Sequence, residues 1–257
     1  IRKFIFLCMK LCIILTIAAT EPEVTDLADF LCAMGADIHG VGCETIVING
    51  VKKLHSVEYT VIPDRIEAGT FLLAAAASRC RLSLENVICG HLKPIVAKLN
   101  EMGFEINESV CHNSVTDRYK TKYDSIEILP CEKFRAVDIK TLPYPGFPTD
   151  MQAQFMSLMS VADGTGVVVE TVFENRFMQV PELLRMGAKS RTAVIDGIKK
   201  LSGAKVKATD LRAGAALVIA ALAAQGETEI CNIDYIERGY ENFDKKLSSV
   251  GINIQKL

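Results

Sequence analysis

The residues of this sequence that could do chemistry are acids and arginines placed close to proline or glycine. Asp150 follows the proline-rich stretch 145–149, and Asp210 stands two residues before Arg212. A carboxylate can act as a general base when it lies within hydrogen-bond reach of the proton that it removes. On local sequence alone, Asp150 is also typical of a helix N-cap, and Asp210 with Arg212 is typical of a solvated surface pair. Both interpretations stay open at this point.

Three arginines, Arg176, Arg212 and Arg238, stand at comparable joints between repeated segments. The planar guanidinium group donates two parallel hydrogen bonds and therefore suits phosphate and carboxylate groups. In a domain built from repeats, these side chains would converge on one end and form an anion site. Repetition alone would also bring them together, so convergence does not by itself define a site. The sequence contains no phosphate-binding loop, dinucleotide fingerprint, zinc-protease motif or nucleophile elbow.

The elements that would position these residues follow a repeat. The pattern Leu-x-x-Met/Val-Gly occurs four times and ends at Gly35, Gly103, Gly187 and Gly251. Each glycine follows an amphipathic stretch, so we expect it to end a helix in the left-handed conformation that glycine adopts without a Cβ clash. Strand-like segments follow three of these glycines: Ala36–Ile38, Phe104–Ile106 and Ile252–Ile254.

A second repeated feature is an acidic residue ahead of a long apolar helix. The acids are Asp64, Asp150 and Asp210, and carboxylates at such positions accept hydrogen bonds from free backbone N–H groups. Apolar residues surround most of each helix, which predicts that the helices are buried. The predicted helices are 66–78, 151–162 and 211–224, and the strands predicted after them are 81–87, 165–172 and 227–233. This order predicts an inside-out α/β fold, with helices within and sheets outside.

The composition is typical of a folded chain, with 257 residues, a formal net charge of −2 and 49% hydrophobic residues. A net charge this close to zero argues against nucleic-acid binding, which usually needs a basic surface. The nine cysteines are odd in number and form no Cys-x-x-Cys motif, so we expect them to be reduced and mostly small core residues. The pairs Cys89/His91 and Cys111/His112 match no zinc spacing, and we expect no metal.

The first twenty residues allow two interpretations. Arg2 and Lys3 precede an apolar run that reaches Ile17 and is interrupted by Lys10. This resembles the charged start and apolar middle of a signal peptide, and membrane tethering through residues 1–17 is one functional alternative. The run is short for a membrane span, so a core helix or strand is the other interpretation. We expect no stable membrane association.

Several ordered segments carry a resemblance to a known family. They are 62–67 (Ile-Pro-Asp-Arg-Ile-Glu), 147–155 (Phe-Pro-Thr-Asp-Met-Gln-Ala-Gln-Phe), 170–178 (Glu-Thr-Val-Phe-Glu-Asn-Arg-Phe-Met), 208–212 (Ala-Thr-Asp-Leu-Arg) and 234–241. From about Ala18 to its end, the sequence resembles the enolpyruvyl transferases, and within them the branch that acts on UDP-N-acetylglucosamine. The shikimate-pathway branch is the alternative, but the Phe-Pro-Thr-Asp-Met-Gln and Phe-Glu-Asn-Arg-Phe segments favour the sugar-nucleotide branch.

The resemblance implies a fold and a reaction. Enolpyruvyl transferases have two domains, each an inside-out α/β barrel of three repeated units. The sugar 3′-hydroxyl adds to C2 of phosphoenolpyruvate while C3 is protonated, and the tetrahedral adduct then loses phosphate. This is the first committed step of peptidoglycan synthesis and needs no metal or organic cofactor. The ligands implied are UDP-N-acetylglucosamine and phosphoenolpyruvate, and the location implied is the cytoplasm or a plastid stroma.

The resemblance also implies roles for individual residues. Asp150 would contact the sugar hydroxyl as the general base, and the backbone at Val172 would touch the sugar nucleotide. Arg238 would hold the carboxylate or phosphate of phosphoenolpyruvate. Three further residues would support the anion site: Asp210, Arg212 and, as a weaker member, Arg176.

The sequence departs from the family pattern in two respects. The family's first domain supplies a Lys-Asn pair, further arginines and a loop cysteine that donates a proton, and none has a counterpart here. The segment Ala188–Ile195 is also shorter than the family pattern, which predicts a lost or shortened strand. We therefore expect residues 1–60 to be a remnant of a first domain and residues 61–257 to form the second domain.

This expectation has functional consequences. Turnover by this chain would be impaired, and the remnant would expose apolar surface that favours self-association. The alternative function is that of a catalytically inactive relative that binds sugar nucleotide or acts as an interaction module.

Overall fold

The computed structural model describes four stretches of the chain: residues 12–110, 123–174, 176–191 and 194–256. The charged start of the apolar run, with Arg2 and Lys3, and the pair Cys111/His112 lie outside the described residues. The end of that run, Cys12–Thr16, forms a strand whose residues are exposed or half-buried, so it is not a core element. Within the described stretches, no helix is long and apolar enough to cross a membrane.

Helices and short strands alternate along the described chain. The helices are α1 (Pro22–Ala33), α2 (Arg65–Ser78), α3 (Cys89–Met102), α4 (Gln152–Met159), α5 (Val180–Arg185), α6 (Leu211–Ala223), α7 (Asp234–Glu237) and α8 (Phe243–Ser249). The strands are β1 (Cys12–Thr16), β2 (Asp37–His39), β3 (Thr45–Asn49), β4 (Leu82–Val87), β5 (Ile106–Ser109), β6 (Asp124–Ile128), β7 (Ile139–Lys140), β8 (Thr165–Val169), β9 (Lys189–Arg191), β10 (Val194–Asp196), β11 (Leu201–Ser202), β12 (Lys205–Lys207), β13 (Ala224–Gln225) and β14 (Glu229–Cys231). A 3₁₀ turn, Thr149–Met151, leads directly into α4.

Three helices, α2, α4 and α6, pack against one another at the centre of the molecule. Every residue of α4 is buried, as are residues 68–77 of α2 and 213–220 of α6. Alanine and other apolar residues cover most of α2 and α6 because neighbours surround these helices, whereas α4 also buries Gln152, Gln154 and Ser157. Each fully buried leucine contributes about 1.5–3 kcal/mol. The prediction of three buried apolar helices is confirmed.

Two of the three acids expected to open these helices act as N-caps. The carboxylate of Asp64 accepts two backbone N–H groups at the start of α2, at 2.7 and 3.0 Å. The carboxylate of Asp210 does the same at the start of α6, with both distances at 2.9 Å. The third acid, Asp150, makes no cap hydrogen bond to α4.

The strands lie outside the three central helices. One antiparallel sheet has the order β4-β6-β5, a second sheet has the order β7-β8-β10-β9, and β11–β13 and β12–β14 are parallel pairs. Buried and exposed residues alternate along β8, as expected of a sheet with one face on the core and one face toward solvent. The remaining sheet, β1-β3-β2, belongs with α1 to the first 60 residues, which we call the first unit.

The four repeated glycines all follow helices and all have positive φ. The angles are 96° at Gly35, 113° at Gly103, 91° at Gly187 and 91° at Gly251. This confirms that each copy of the motif ends a helix with a left-handed residue.

Replacing Gly103 by alanine is expected to lower the free energy of unfolding by about 1–2 kcal/mol. Its φ of 113° disfavours any residue with a Cβ, even though nothing lies within 4 Å of the added atom. Gly90, in the first turn of α3, has equally open surroundings but no positive φ. Gly90→Ala is therefore expected to raise the free energy of unfolding by about 0.4–1 kcal/mol. Urea denaturation compares the two variants, and changes of the same sign would contradict this account.

One expectation about strands is wrong, and a second is decided between its two alternatives. Residues Ile252–Ile254 form no strand, because no described strand pairs with them, and Ile252 and Ile254 instead pack against the cluster around α6 and α8. The segment 188–195 keeps two strands, β9 and β10, that pair antiparallel over three residues each. Of the two expected outcomes, a lost or a shortened strand, the lost strand is therefore excluded, and the strands present have three residues each.

Candidate functional site

A cleft of about 660 Å³ opens between the first unit and the ends of the central helices. Among the residues that line it are Glu21 and Glu23 from the first unit and Asp150, Val172 and Arg212 from the rest of the chain. Three of the residues to which the sequence assigns a binding role therefore share one cleft.

Asp150 lies between two guanidinium groups. Its Oδ1 accepts a hydrogen bond from Nη2 of Arg176 at 2.6 Å, and its Oδ2 accepts one from Nη2 of Arg212 at 2.7 Å. The Asp150 side chain is 35% exposed and that of Arg212 is 16% exposed, so the cluster is reachable from the cleft but partly shielded from water. The interpretation of Asp150 as a plain N-cap is wrong, because its carboxylate is committed to the arginines.

Arg212 is held from behind by a buried polar network. Its Nη1 donates to the hydroxyl of Tyr240 at 3.4 Å, and that hydroxyl lies 2.9 Å from Oγ1 of Thr70. The Thr70 hydroxyl already donates to the carbonyl of Ile66, so Tyr240 is the donor to Thr70. The amide nitrogen of Gln154 reaches the same tyrosine oxygen at 3.4 Å. Tyr240, together with side chains from two of the central helices, α2 and α4, thus fixes the position of Arg212.

The arginines set the protonation state of Asp150. Partial burial on its own would raise the pKa of this carboxyl group, but the charge and hydrogen bond of Arg212, and then those of Arg176, outweigh burial and hold the pKa below its usual value. Burial raises the pKa of Tyr240, which therefore stays a neutral hydroxyl beside Arg212. At neutral pH the site holds one carboxylate between two cations.

The lowered pKa of Asp150 predicts a pH-dependent contribution to stability. An aspartate in an unfolded chain titrates near 3.9, so a lower folded-state pKa stabilises the native state above about pH 4 and ceases to do so as the pH falls through the folded value. The difference in free energy of unfolding between the wild type and Asp150→Asn is expected to be larger at pH 7 than at pH 3. Urea denaturation at both pH values measures it, and an unchanged difference would oppose the arginine clamp.

Arg176 is anchored by more than Asp150. Its Nη1 donates to the hydroxyl of Thr149 at 2.7 Å, and its guanidinium group lies 4.9 Å from the ring centroid of Phe173. The Thr149 hydroxyl in turn donates to Oε2 of Glu170 at 2.9 Å. Arg176 is therefore part of a continuous chain of hydrogen bonds around the turn that precedes α4.

Val172 lines the same cleft, and a hydrogen bond holds its backbone N–H. Its N–H donates to Oε1 of Glu170 at 2.9 Å. Within the described stretches, no donor bonds to the Val172 carbonyl oxygen. The carbonyl is consequently the backbone group at this residue that can accept a hydrogen bond from a ligand.

Asp210 and Arg238 occupy different positions from the other predicted site residues. The Asp210 carboxylate is used as the N-cap of α6, where it supports Arg212 through the backbone. Arg238 is exposed at the end of α7, with its guanidinium group 4.9 Å from the ring centroid of Tyr235. Of the three arginines expected to converge, Arg176 and Arg212 both bind Asp150, whereas Arg238 forms no ion pair with it.

Sequence reasoning missed three residues of this site: Thr149, Glu170 and Tyr240. All three stand inside the segments that carry the family resemblance, within two residues of residues that were assigned roles. Tyr240 follows Arg238 and Gly239, but its burial beneath Arg212 has no signature in the local sequence. The signal that could have found Glu170 is a polar residue directly after a strand, since Glu170 follows β8.

Comparison with known proteins assigns the fold and the site to a class. The EPSP synthase (3-phosphoshikimate 1-carboxyvinyltransferase) family matches residues 7–247 of the chain. The structure of the enolpyruvyl transferase NikO from Streptomyces tendae is similar with a TM-score of 0.79 and 30% identity, over 96% of this chain and 57% of that one. An EPSP synthase from Acinetobacter baumannii, 19% identical, shares the fold with a TM-score of 0.72 over 96% of this chain and 58% of that one. The chain belongs to the EPSP synthase family of enolpyruvyl transferases.

Within this family, curated relatives from one branch share about half of their aligned residues with this chain. UDP-N-acetylglucosamine 1-carboxyvinyltransferase 1 of Caldanaerobacter subterraneus subsp. tengcongensis is 53% identical over 243 residues, which cover 93% of this chain and 55% of that protein. UDP-N-acetylglucosamine 1-carboxyvinyltransferase 2 of Carboxydothermus hydrogenoformans is 53% identical over 244 residues, covering 93% and 56%. The expected resemblance to the sugar-nucleotide branch is confirmed, and the chain spans a little over half the length of these relatives.

Proposed function

We propose that this chain contributes the acceptor and anion site of an enzyme that transfers the enolpyruvyl group from phosphoenolpyruvate to the 3′-hydroxyl of UDP-N-acetylglucosamine. In this reaction the sugar oxygen bonds to C2 of phosphoenolpyruvate and C3 gains a proton. The adduct then loses a proton from C3 as the bond from C2 to the phosphate oxygen breaks. The products are the enolpyruvyl sugar nucleotide and inorganic phosphate, which carries away the proton that the sugar hydroxyl lost.

The observation that carries the proposal is the clamp of Asp150 between Arg176 and Arg212 at the cleft. A carboxylate has about four acceptor sites, and two of the sites on Asp150 are used by the arginines. The remaining lone pairs can accept the hydrogen bond of a sugar hydroxyl. The adjacent guanidinium groups provide fixed positive charge for anionic substrate groups and for the charge that develops in the adduct.

The low pKa of Asp150 limits how it can act as a base. A carboxylate held ionised by two arginines orients a hydroxyl well but removes its proton poorly. An anionic substrate that bound Arg176 or Arg212 would withdraw positive charge from Asp150 and raise its pKa. Asp150 would then be a stronger base with the anion present than without it, which suits a reaction that needs both substrates together.

The roles of Arg238 and Asp210 remain part of this proposal. Arg238 is exposed, so its guanidinium group is free to meet the carboxylate or phosphate of phosphoenolpyruvate from the side of α7. Asp210 acts indirectly, because it fixes the start of the helix that carries Arg212. Reaction in the cytoplasm or a plastid stroma belongs to the same proposal.

The domain division is likewise a proposal. The large core clusters begin at Ile66, which supports a domain from about residue 61 to 257 and a separate first unit before it.

In the first unit, apolar side chains are exposed, for example Ile17 at 92% and Ile14 at 61%. They support self-association of the chain, which light scattering at increasing protein concentration would test.

Two measurements on the purified chain test the proposed function. Calorimetric titration with UDP-N-acetylglucosamine reports binding, and phosphate release in the presence of phosphoenolpyruvate reports turnover. Binding with phosphate release supports the transferase. Binding without release supports the alternative of a sugar-nucleotide-binding relative without activity. The absence of both would contradict the proposal.

A further inference from the structure

Glu170 directly follows β8, and its carboxylate connects parts of the site that are distant in sequence. Oε1 accepts the backbone N–H groups of Val172 and Phe173 at 2.9 and 3.1 Å, and the hydroxyl of Thr141 at 2.8 Å. Oε2 accepts the hydroxyl of Thr149 at 2.9 Å. An ionised carboxylate is suited to this position because it only accepts hydrogen bonds and has about four lone-pair sites.

Thr149 extends the connection to the clamp. Its hydroxyl donates to Glu170 and accepts from Nη1 of Arg176 at 2.7 Å, while Nη2 of the same arginine donates to Asp150 at 2.6 Å. One hydroxyl group therefore separates the Glu170 carboxylate from the guanidinium group that faces Asp150. A glutamate that only closed a local turn would need the two backbone N–H groups and nothing beyond them.

We propose that Glu170 is a positioning residue that presents the Val172 carbonyl and the Asp150–Arg176 pair to the sugar nucleotide. The inference rests on the proposed function, since it assigns Glu170 to the same ligand site. By holding the N–H groups of Val172 and Phe173, Glu170 turns the loop so that the Val172 carbonyl remains available to accept from a sugar hydroxyl. By holding Thr149, it fixes one side of the clamp.

The first test compares Glu170→Ala with Glu174→Ala by calorimetric titration with UDP-N-acetylglucosamine. Glu174 is exposed, lies four residues further along the same loop and makes no hydrogen bond within the described stretches, so it controls for the loss of a carboxylate. Glu170→Ala is expected to weaken binding by about tenfold or more, as for the loss of a charge-assisted hydrogen bond. Glu174→Ala is expected to stay within about twofold of the wild type. Equal affinities of Glu170→Ala and the wild type would overturn the inference.

A double variant separates positioning from a general loss of structure. If Thr149 and Glu170 act through the same hydrogen bond, Thr149→Val combined with Glu170→Ala weakens binding by about the larger single factor instead of the product of the two factors. Thr149→Val combined with Glu174→Ala is expected to give the Thr149→Val factor alone. If the double variant Thr149→Val, Glu170→Ala weakens binding by the product of the two single factors, the two residues act independently, which would count against the proposed connection.

A readout without ligand distinguishes this inference from the proposed function. Hydrogen exchange of the Val172 and Phe173 amides, followed by NMR, is expected to be faster in Glu170→Ala and unchanged in Glu174→Ala. Faster exchange in a chain that does not bind the sugar nucleotide would contradict the proposed function while confirming that Glu170 holds the loop. Unchanged exchange in Glu170→Ala would overturn the positioning role, whether or not the chain binds.

Discussion

Asp150→Asn is expected to weaken binding of UDP-N-acetylglucosamine by about 10- to 100-fold. A hydrogen bond to a charged group contributes about 1.5–3 kcal/mol, and 1.4 kcal/mol corresponds to a factor of ten. The substitution also removes the negative charge between Arg176 and Arg212, which lie 2.6 and 2.7 Å from it, so the guanidinium groups would repel and move apart. Calorimetric titration measures the affinity. If the chain releases phosphate, kcat/KM is expected to fall by about 100-fold or more.

The matched control for this variant is Asp163→Asn. The Asp163 side chain is exposed and makes no hydrogen bond within the described stretches, so the same change of charge is expected to leave affinity within about twofold of the wild type. Thermal denaturation of both variants shows whether they are folded under the titration conditions. Comparable losses of affinity in a folded Asp150→Asn and a folded Asp163→Asn would remove Asp150 from the site.

Phe155→Ala is expected to give the largest loss of stability, about 3–5 kcal/mol in the free energy of unfolding. Phe155 is fully buried at the middle of α4, where its ring meets Phe147 edge-on with the centroids 5.3 Å apart. The cavity left by the ring would lie where α4 packs between α2 and α6. A typical domain has only about 5–15 kcal/mol of stability, so the variant is expected to denature at a much lower urea concentration. Circular dichroism across a urea series measures the shift.

Phe173→Ala makes the same chemical change at the surface. The Phe173 side chain is 57% exposed in the loop beside Arg176, so this variant is expected to lose less than about 1 kcal/mol, mostly from its contact with the guanidinium group. The contrast with Phe155→Ala isolates the contribution of burial. Similar losses for the two phenylalanines would mean that α4 does not form the centre of the core.

The site was partly predictable because the residues with chemistry lie in segments that carry the family resemblance. Asp150, Val172 and Arg212 were assigned to one site, and they line one cleft. The resemblance did not indicate that Asp150 would be held by two arginines at once, because Arg176 and Arg212 are 26 and 62 residues away from it. The positions of Glu170 and Tyr240 beneath these residues were not predicted either.

What the sequence determined by itself is local. The positive φ of glycines such as Gly103, the caps at Asp64 and Asp210, and the burial of the apolar helices follow from interactions within a few residues or from composition. Asp150 has the same local signature as the other two acids, so local sequence left the cap interpretation open for it. The partners of Asp150, Arg176 and Arg212, are brought to it by the packing of separate elements, which cannot be inferred from local sequence.

The tertiary structure decided which of the equivalent positions became a site. Strand formation at Ile252–Ile254 required a neighbouring strand, and no described strand is there, so a strand-like sequence stayed irregular. Arg238 stands at a comparable joint to Arg176 and Arg212, yet it is exposed, lies over the ring of Tyr235 and forms no ion pair with Asp150. The sequence thus determined which elements recur, whereas the structure set their boundaries, for example Gln152–Met159 where the sequence predicts a helix over 151–162. The packing of α2, α4 and α6 determined that Asp150 meets two arginines, since such contacts form only after the helices are assembled.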